Sequence, residues 1–310
     1  MEKQKESFSK EYLTHPRDYH AYRWYKPLLV ALLTMIFFFI FTMILVVIGS
    51  HAAGPGNDLM ARVMGGYDTF DVYTGPGALV TLGNVAAMLP ALFLAACIVR
   101  DRPFSSYGSA GGGWRMKVFW KCFAVALIVC AIPILVQFFL KHPSPSAVRF
   151  TAVGFLLCTI LAPIQCIAEE YIFRGLFFQT VGSWFKSLII ALLVSAALFG
   201  SSHPYNIYGV AEVTLFGLFM CIMAVLCKGL EASSAVHIVN NMTLFYLGGF
   251  GYETVSKDSD LESLLTSAAI NTVYLLVLFF VGKKRGWFEQ TKKDDVTPFN
   301  AKYDAKHPVS

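Results

Sequence analysis

Residues 27–50 read PLLVALLTMIFFFIFTMILVVIGS, with no charged side chain between Pro27 and Ser50. A helix rises about 1.5 Å per residue, so roughly 20 mostly apolar residues cross the hydrocarbon core of a bilayer. This run is long enough to do so. As a helix it presents leucine, isoleucine and phenylalanine on every face, with no polar stripe to turn toward water. Lipid accepts such a surface, and a helix satisfies its own backbone there. The preceding tail is basic (Lys3, Lys5, Lys10, Arg17, Arg23, Lys26). The apolar run is also too long for the core of a cleaved signal peptide, so the pair reads as a retained signal anchor.

Seven further apolar runs follow, at 78–99, 118–140, 150–168, 186–202, 209–227, 232–250 and 264–282. The expectation is an all-α, polytopic integral membrane protein of about eight transmembrane helices. Composition agrees: 56% of the 310 residues are hydrophobic and 15% charged, and the mean hydropathy is +0.57. An average soluble chain carries about 25% charged residues. The run from Phe150 is expected to continue past the membrane edge to about Val181, with Gly182 and Ser183 as its stop. Asn57–Gly77 is too polar to span and reads as an outer loop, with a surface-lying helix as an option; Gly108–Gly113 (GSAGGG) reads as a flexible linker. No internal repeat is evident.

Charge then sets orientation. With the N-terminus in the cytoplasm, only Arg62, Lys141, Arg149 and Lys257 of the 25 Lys and Arg residues fall outside. Arg174, Lys186 and Lys228 are assigned to inner turns. That is a strong positive-inside bias, and it predicts cytoplasmic N- and C-termini in a multi-pass protein of the cell membrane. The outer stretches Asn57–Asp71 and Glu253–Glu262 are net acidic. Topology therefore explains the net charge of +5 and the pI of about 8.7, and no nucleic-acid partner is implied. The expected divisions are a cytoplasmic tail (1–26), N-terminal helices (27–149), a core of helices (150–250), an outer loop with the last helix (251–282) and a cytoplasmic tail (283–310). The seven cysteines lie in or beside apolar runs without a C-x-x-C pair, which fits buried small hydrophobes rather than a disulfide or zinc framework.

Ionisable residues inside such runs are costly and mark function or mutual pairing. Three sets occur. In AEEYIFRG, Glu170 and Arg174 are i and i+4 and share a helical face, while Glu169 points about 100° away. One carboxylate can be neutralised while its neighbour stays free to take a proton. The alternative is a charged cluster at the membrane edge. His203 follows in FGSSHP, where an interfacial polar side chain is the alternative. His237 and Asn241 in HIVNN again share a face by i, i+4 spacing, with interhelical hydrogen bonding as the alternative.

In combination, Glu169-Glu170-x-x-x-Arg174, Phe199-x-x-x-His203 and His237-x-x-x-Asn241 resemble the CPBP intramembrane protease family, also called the CAAX prenyl endopeptidase type II or Abi family. The motifs stand in the family's order on successive runs, over about residues 150–250, and RDRPFSSYG after the second run is similar too. The resemblance implies an intramembrane endopeptidase acting on a peptide or protein segment at the membrane. It assigns water activation to Glu169 with His203 assisting, and the oxyanion to His237 and Asn241. Glu170 and Arg174 would hold that geometry, with Phe199 beside them. Eukaryotic members trim prenylated CAAX tails. The short HPYN form after His203 and the compact chain are more similar to bacterial members, which are associated with signalling-peptide processing and bacteriocin self-immunity.

Glu169, His203 and His237 also make a conceivable zinc ligand set with an open position for water. No H-E-x-x-H is present, and the resemblance implies a glutamate mechanism without a cofactor, which ranks first. Two readings compete with the enzyme. A non-catalytic scaffold or immunity protein would keep the same fold, and a small-solute transporter would be expected to show inverted repeats. Partners on the favoured reading are membrane lipids and the substrate. The placing of His237 stays open: it lies near the inner end of its run, whereas His203 follows a full one. Either the connection between the fifth and sixth runs dips inward or the helices tilt.

Overall fold

The computed structural model describes residues 11–54, 71–141, 145–252, 259–289 and 295–307. Lys3, Lys5, Lys10, residues 57–70 of the expected outer loop with Arg62, residues 253–258 with Lys257, and Lys292 and Lys293 lie outside them.

The described residues form helices and no strand. Eight helices stand where eight are expected: α1 (Lys26–Ala53), α2 (Gly75–Val99), α3 (Met116–Leu140), α4 (Ala152–Phe185), α5 (Leu188–Ser201), α6 (Ile207–Cys227), α7 (Glu231–Gly249) and α8 (Leu261–Lys283). A ninth, α9 (Val296–Asp304), follows them. Six are long and apolar enough to cross a membrane: α1, α2, α3, α4, α6 and α8. The expected spans 186–202 and 232–250 are present as α5 and α7 but are not among those six. α5 has only 14 residues, and α7 carries Glu231, His237, Asn240 and Asn241. The chain is a polytopic, all-α membrane protein.

Neighbouring passes pack α1 on α2, α2 on α4, α5 on α6, α7 on α3 and α4, and α6 on α8. The outward faces carry the large apolar side chains. On α1, Leu32, Met35, Phe39 and Val47 are exposed, while the buried face is made of Val30, Thr34, Thr42 and Gly49. Small or hydroxyl-bearing residues at the contact let helices approach, which is how membrane helices associate without a hydrophobic drive between them. The Thr42 hydroxyl donates to the Asn84 amide oxygen across α1 and α2. Six cysteines are buried and all seven are free thiols, with Cys97 exposed.

Two expectations are corrected. Gly182 and Ser183 do not stop α4. The helix runs on to Phe185 and ends at Lys186, whose φ of 52° is a left-handed cap. Gly182 serves contact instead, since a Cβ there would lie 2.2 Å from Leu13 Cδ1. Nor is the Gly108–Gly113 stretch a free linker. Its first part is buried and zipped to the α6–α7 turn, with Leu230 N–H donating to Gly108 C=O at 2.9 Å and Ala110 N–H to Lys228 C=O at 3.0 Å. Gly112 and Gly113 take φ of 84° and 111°, a conformation that glycine adopts without cost.

The chain's described ends meet. His20 N–H donates to Asn300 Oδ1 at 2.8 Å, Asn300 Nδ2 to Asp18 C=O at 3.0 Å, and Tyr19 Oη to Asp295 Oδ1 at 3.0 Å. α9 is therefore fastened to the segment that precedes α1.

Candidate active site

α4 supplies the carboxylates, and its winding changes just after them. Tyr171–Phe178 is π-helical, a wider turn that frees main-chain groups from the helix's own ladder and recurs at functional sites. Here three successive carbonyls are taken by side chains from elsewhere. Ser195 Oγ donates to Phe173 C=O at 2.9 Å, Tyr12 Oη to Arg174 C=O at 3.3 Å and Arg102 Nη2 to Gly175 C=O at 3.0 Å. Gly175 is required because a Cβ there would sit 2.7 Å from Tyr107 C=O.

Within this frame Arg174 Nη1 donates to Glu170 Oε1 at 3.0 Å, and both side chains are fully enclosed. The guanidinium lies 4.2 Å over the Phe199 ring and reaches Gly217 C=O at 3.4 Å. Arg174 is thus no inner-turn charge, as the orientation argument assumed; it is buried within the protein. The expected i, i+4 pair is present.

His237 closes the group. Its Nδ1 is 3.1 Å from Glu170 Oε1 and its Nε2 is 3.3 Å from Glu169 Oε2. The imidazole therefore bridges the two carboxylates. With Glu170 held by Arg174, the Nδ1 proton points to Glu170, and Nε2 faces Glu169. The carboxylates differ in access: the Glu169 side chain keeps 10% exposure and that of Glu170 has 0%. One is sealed as a structural anion, and the other keeps a small opening.

Phe199 touches both histidines, with ring centroids 4.9 Å from His203 and 6.1 Å from His237. His203 is half-buried beyond the end of α5. Its Nδ1 donates to Phe199 C=O at 2.8 Å, which in the neutral ring makes Nε2 the acceptor. It makes no hydrogen bond to Glu169. Asn241 accepts from Asn240 Nδ2 at 3.2 Å, which leaves its own amide N–H groups free to donate. The structure therefore joins Glu169, Glu170, Arg174, Phe199 and His237 directly, with His203 attached through Phe199 and Asn241 one turn beyond His237. Among the described residues, no three His, Cys, Asp or Glu side chains gather as a metal cage.

The depth of His237 comes from groups that the motifs do not contain. The α6–α7 turn is sunk into the protein: Cys227, Gly229, Leu230, Glu231 and Ala232 are all buried. Arg115 clamps it, donating from Nε and Nη2 to the two Glu231 oxygens at 2.8 and 2.7 Å and from Nη2 to Cys227 C=O at 2.6 Å. Burial opposes the charge on Arg115, yet the Glu231 bonds prevail and push its pKa above the ordinary arginine value. α7 accordingly starts inside the bundle, and two turns bring His237 to Glu170. Arg102 and Asp101 belong to the same supporting layer. Burial raises the Asp101 carboxyl above its usual range, against the pull of Arg102 and the hydrogen bond from Tyr107. In the sequence, Asp101 and Arg102 stand in RDRPFSSYG, noted only as similar to the family, Arg115 counts only toward orientation, and Glu231 is not singled out.

Residues 148–243 match the family model for the type II CAAX prenyl endopeptidase Rce1-like proteins. All seven residues of the three motifs fall inside that segment. The uncharacterized protein YyaK of Bacillus subtilis (strain 168) is 26% identical to this chain over 218 residues, covering 63% of this chain and 72% of the relative. No solved structure matches the chain. The apolar helices, together with this likeness to a membrane-protease family over 148–243, make the chain a multi-pass membrane protein.

Proposed function

We propose that the chain is an intramembrane endopeptidase of the cell membrane, cutting a membrane-associated peptide or protein by glutamate-activated water. The observation that carries the reading is the asymmetric carboxylate pair. Glu170 is locked between Arg174 and the His237 Nδ1 proton, whereas Glu169, against His237 Nε2, has no arginine partner and alone of the two keeps some exposure. Hydrolysis needs a base for water, a donor set for the oxyanion and an acid for the leaving amine.

Glu169 accepts a proton from water as the oxygen attacks the scissile carbonyl carbon. The carbonyl electrons move to oxygen, and in this reading the free Asn241 amide donates to that charge. Collapse of the intermediate breaks the C–N bond, and the proton held by Glu169 passes to the amine. His237, oriented by Glu170, supports Glu169. His203 contributes Nε2 from the open side. Zinc held by Glu169, His203 and His237 is the competing mechanism. His203 could keep its Nδ1 bond to Phe199 C=O and offer Nε2 as a ligand, but the three side chains would have to draw together, since among the described residues they do not gather.

The test compares peptide termini in membranes carrying wild type or Glu169→Gln. New or lost termini that depend on Glu169 support the enzyme. Unchanged termini together with retained partner binding would favour a non-catalytic scaffold or immunity protein.

A further inference from the structure

At the face where the chain's ends meet, a cavity of about 790 Å³ opens between the start of α1, the end of α2 and α9. Its charged lining is Lys26, Arg100, Arg102, Lys302 and Lys306, with His307 beside them, and no acidic residue lines it among those described. α9 is amphipathic across this contact. Asn300 and Asp304 hold the N-terminal segment, with Asp304 Oδ2 2.9 Å from His20 Nδ1. Phe299, Lys302, Tyr303 and Lys306 line the cavity on the other side. The acids nearby are already engaged: Asp101 is buried against Arg102 and accepts from Tyr107, and Asp295 accepts from Tyr19 and Ser105. Lys26, Lys302 and Lys306 have no ion-pair partner among the described residues. Arg100 spends only its Nε, on Cys97 C=O at 3.1 Å.

The cavity's other wall is apolar. Ile98 and Phe104 line it, and Phe93, which stacks edge-on to Phe104 at 5.2 Å, continues the wall onto the exposed outer face of α2 with Leu94. Trp24 and Tyr25, both exposed, stand immediately before Lys26. Amphipathic aromatic rings concentrate at the headgroup level of a bilayer. A cationic cup at that level, opening onto a lipid-facing apolar strip, fits a ligand with a phosphate at one end and acyl chain at the other. Basic pockets between membrane helices bind anionic headgroups in this way.

We propose that this cavity is a binding site for one anionic phospholipid. Lys302 of α9 and Lys306 just past its end, with Lys26 and Arg100, meet its phosphate, and its chains lie along Phe93, Leu94 and Ile98. The lipid would fasten the C-terminal helix to the membrane face of the bundle.

Native mass spectrometry of the full-length protein in detergent tests this with three probes: phosphatidylglycerol, phosphatidylcholine and glycerol 3-phosphate. One saturable phosphatidylglycerol per chain is expected, with phosphatidylcholine binding at least about tenfold more weakly. Each lysine near a lipid surface contributes appreciably, so K302Q/K306Q should lose about tenfold or more in phosphatidylglycerol affinity. K302R/K306R should retain binding, as should K284Q/R285Q, which removes equal charge elsewhere. Equal binding of phosphatidylcholine, or an equal loss in K284Q/R285Q, would overturn a specific site. Retained affinity in K302Q/K306Q would do the same. Competition by glycerol 3-phosphate as strong as that of the lipid would overturn the phospholipid and make the occupant a soluble phosphate ester. Since binding is read without turnover, failure here is distinguishable from failure of the protease reading.

Discussion

Replacing Glu170 by glutamine separates the roles of the two adjacent glutamates. The change is nearly isosteric but removes the charge 3.0 Å from Arg174 Nη1, where both side chains have no exposure. Leaving a buried cation without its partner costs about 3–5 kcal/mol. Arg174 keeps the Phe199 ring at 4.2 Å and Gly217 C=O at 3.4 Å, so the lower half of that range is expected. At about 2–4 °C per kcal/mol for a chain of this size, the melting temperature should fall by roughly 6–16 °C. Activity should fall too, because His237 Nδ1 loses the anion that orients it. Glu169→Gln is different. Its side chain is partly exposed and has no Arg partner, and glutamine still offers an oxygen or nitrogen to His237 Nε2. Melting within about 2 °C of wild type and abolished cleavage are expected, since an amide cannot act as the base. Arg174→Met in the Glu170→Gln background should recover part of the lost stability, as an apolar replacement of a buried pair commonly does. Melting in detergent and turnover are measured for each variant. Indistinguishable behaviour of the two glutamine variants in both assays would refute the division, and near-normal turnover in Glu169→Gln would remove Glu169 as the base.

Three other outcomes are expected. Activity should survive chelation, and the purified protein should lack stoichiometric zinc; one zinc per chain lost on substituting Glu169, His203 or His237 would replace the glutamate mechanism with the metal one. Tags at the N-terminus and after Ser310 should be protected in intact cells, as the positive-inside bias requires, and accessibility of either from outside would reverse the orientation. Gly175→Ala should cost about 1–3 kcal/mol and lower activity, because its Cβ would meet Tyr107 C=O at 2.7 Å inside the π-helical turn. Gly83→Ala, whose nearest neighbour would be an ordinary 3.7 Å away, should melt at or above wild type, and equal melting of the two alanine variants would sink the close-packing argument.

Much of the fold was legible because lipid demands a coarse signal. An uninterrupted apolar run such as Pro27–Ser50 leaves few alternatives, and every expected run is a helix. The pairing of Glu170 with Arg174 was legible for a similar reason, since i, i+4 proximity on a helix is local. Winding was not. The π-helical turn at Tyr171–Phe178 depends on Ser195, Tyr12 and Arg102 taking its carbonyls, and these residues are distant in sequence. The helix end at Phe185 was missed because glycine was read as a stop. At Gly182 a close neighbour, Leu13, explains the residue better than a cap does.

The depth of His237 was illegible for a further reason: spacing along one helix says nothing about where that helix begins. Counting from a presumed membrane edge left the level of His237 relative to His203 open. The count fails because Arg115 spends both its charge and its hydrogen bonds on Glu231 and Cys227 C=O, so a charged helix start can be buried. Gly108 and Ala110 then occupy the space below by pairing with the same turn. A glycine-rich stretch that resembles a linker is thereby part of the floor that lifts α7 to its working height. Its lack of side chains is what allows the backbone to approach: a Cβ on Gly108 would lie 2.4 Å from the Tyr171 hydroxyl oxygen, at the first residue after the Glu169–Glu170 pair. Gly108 and the residue that follows the carboxylates are therefore in close contact, and Gly108→Ala should displace Tyr171 and lower the melting temperature in detergent.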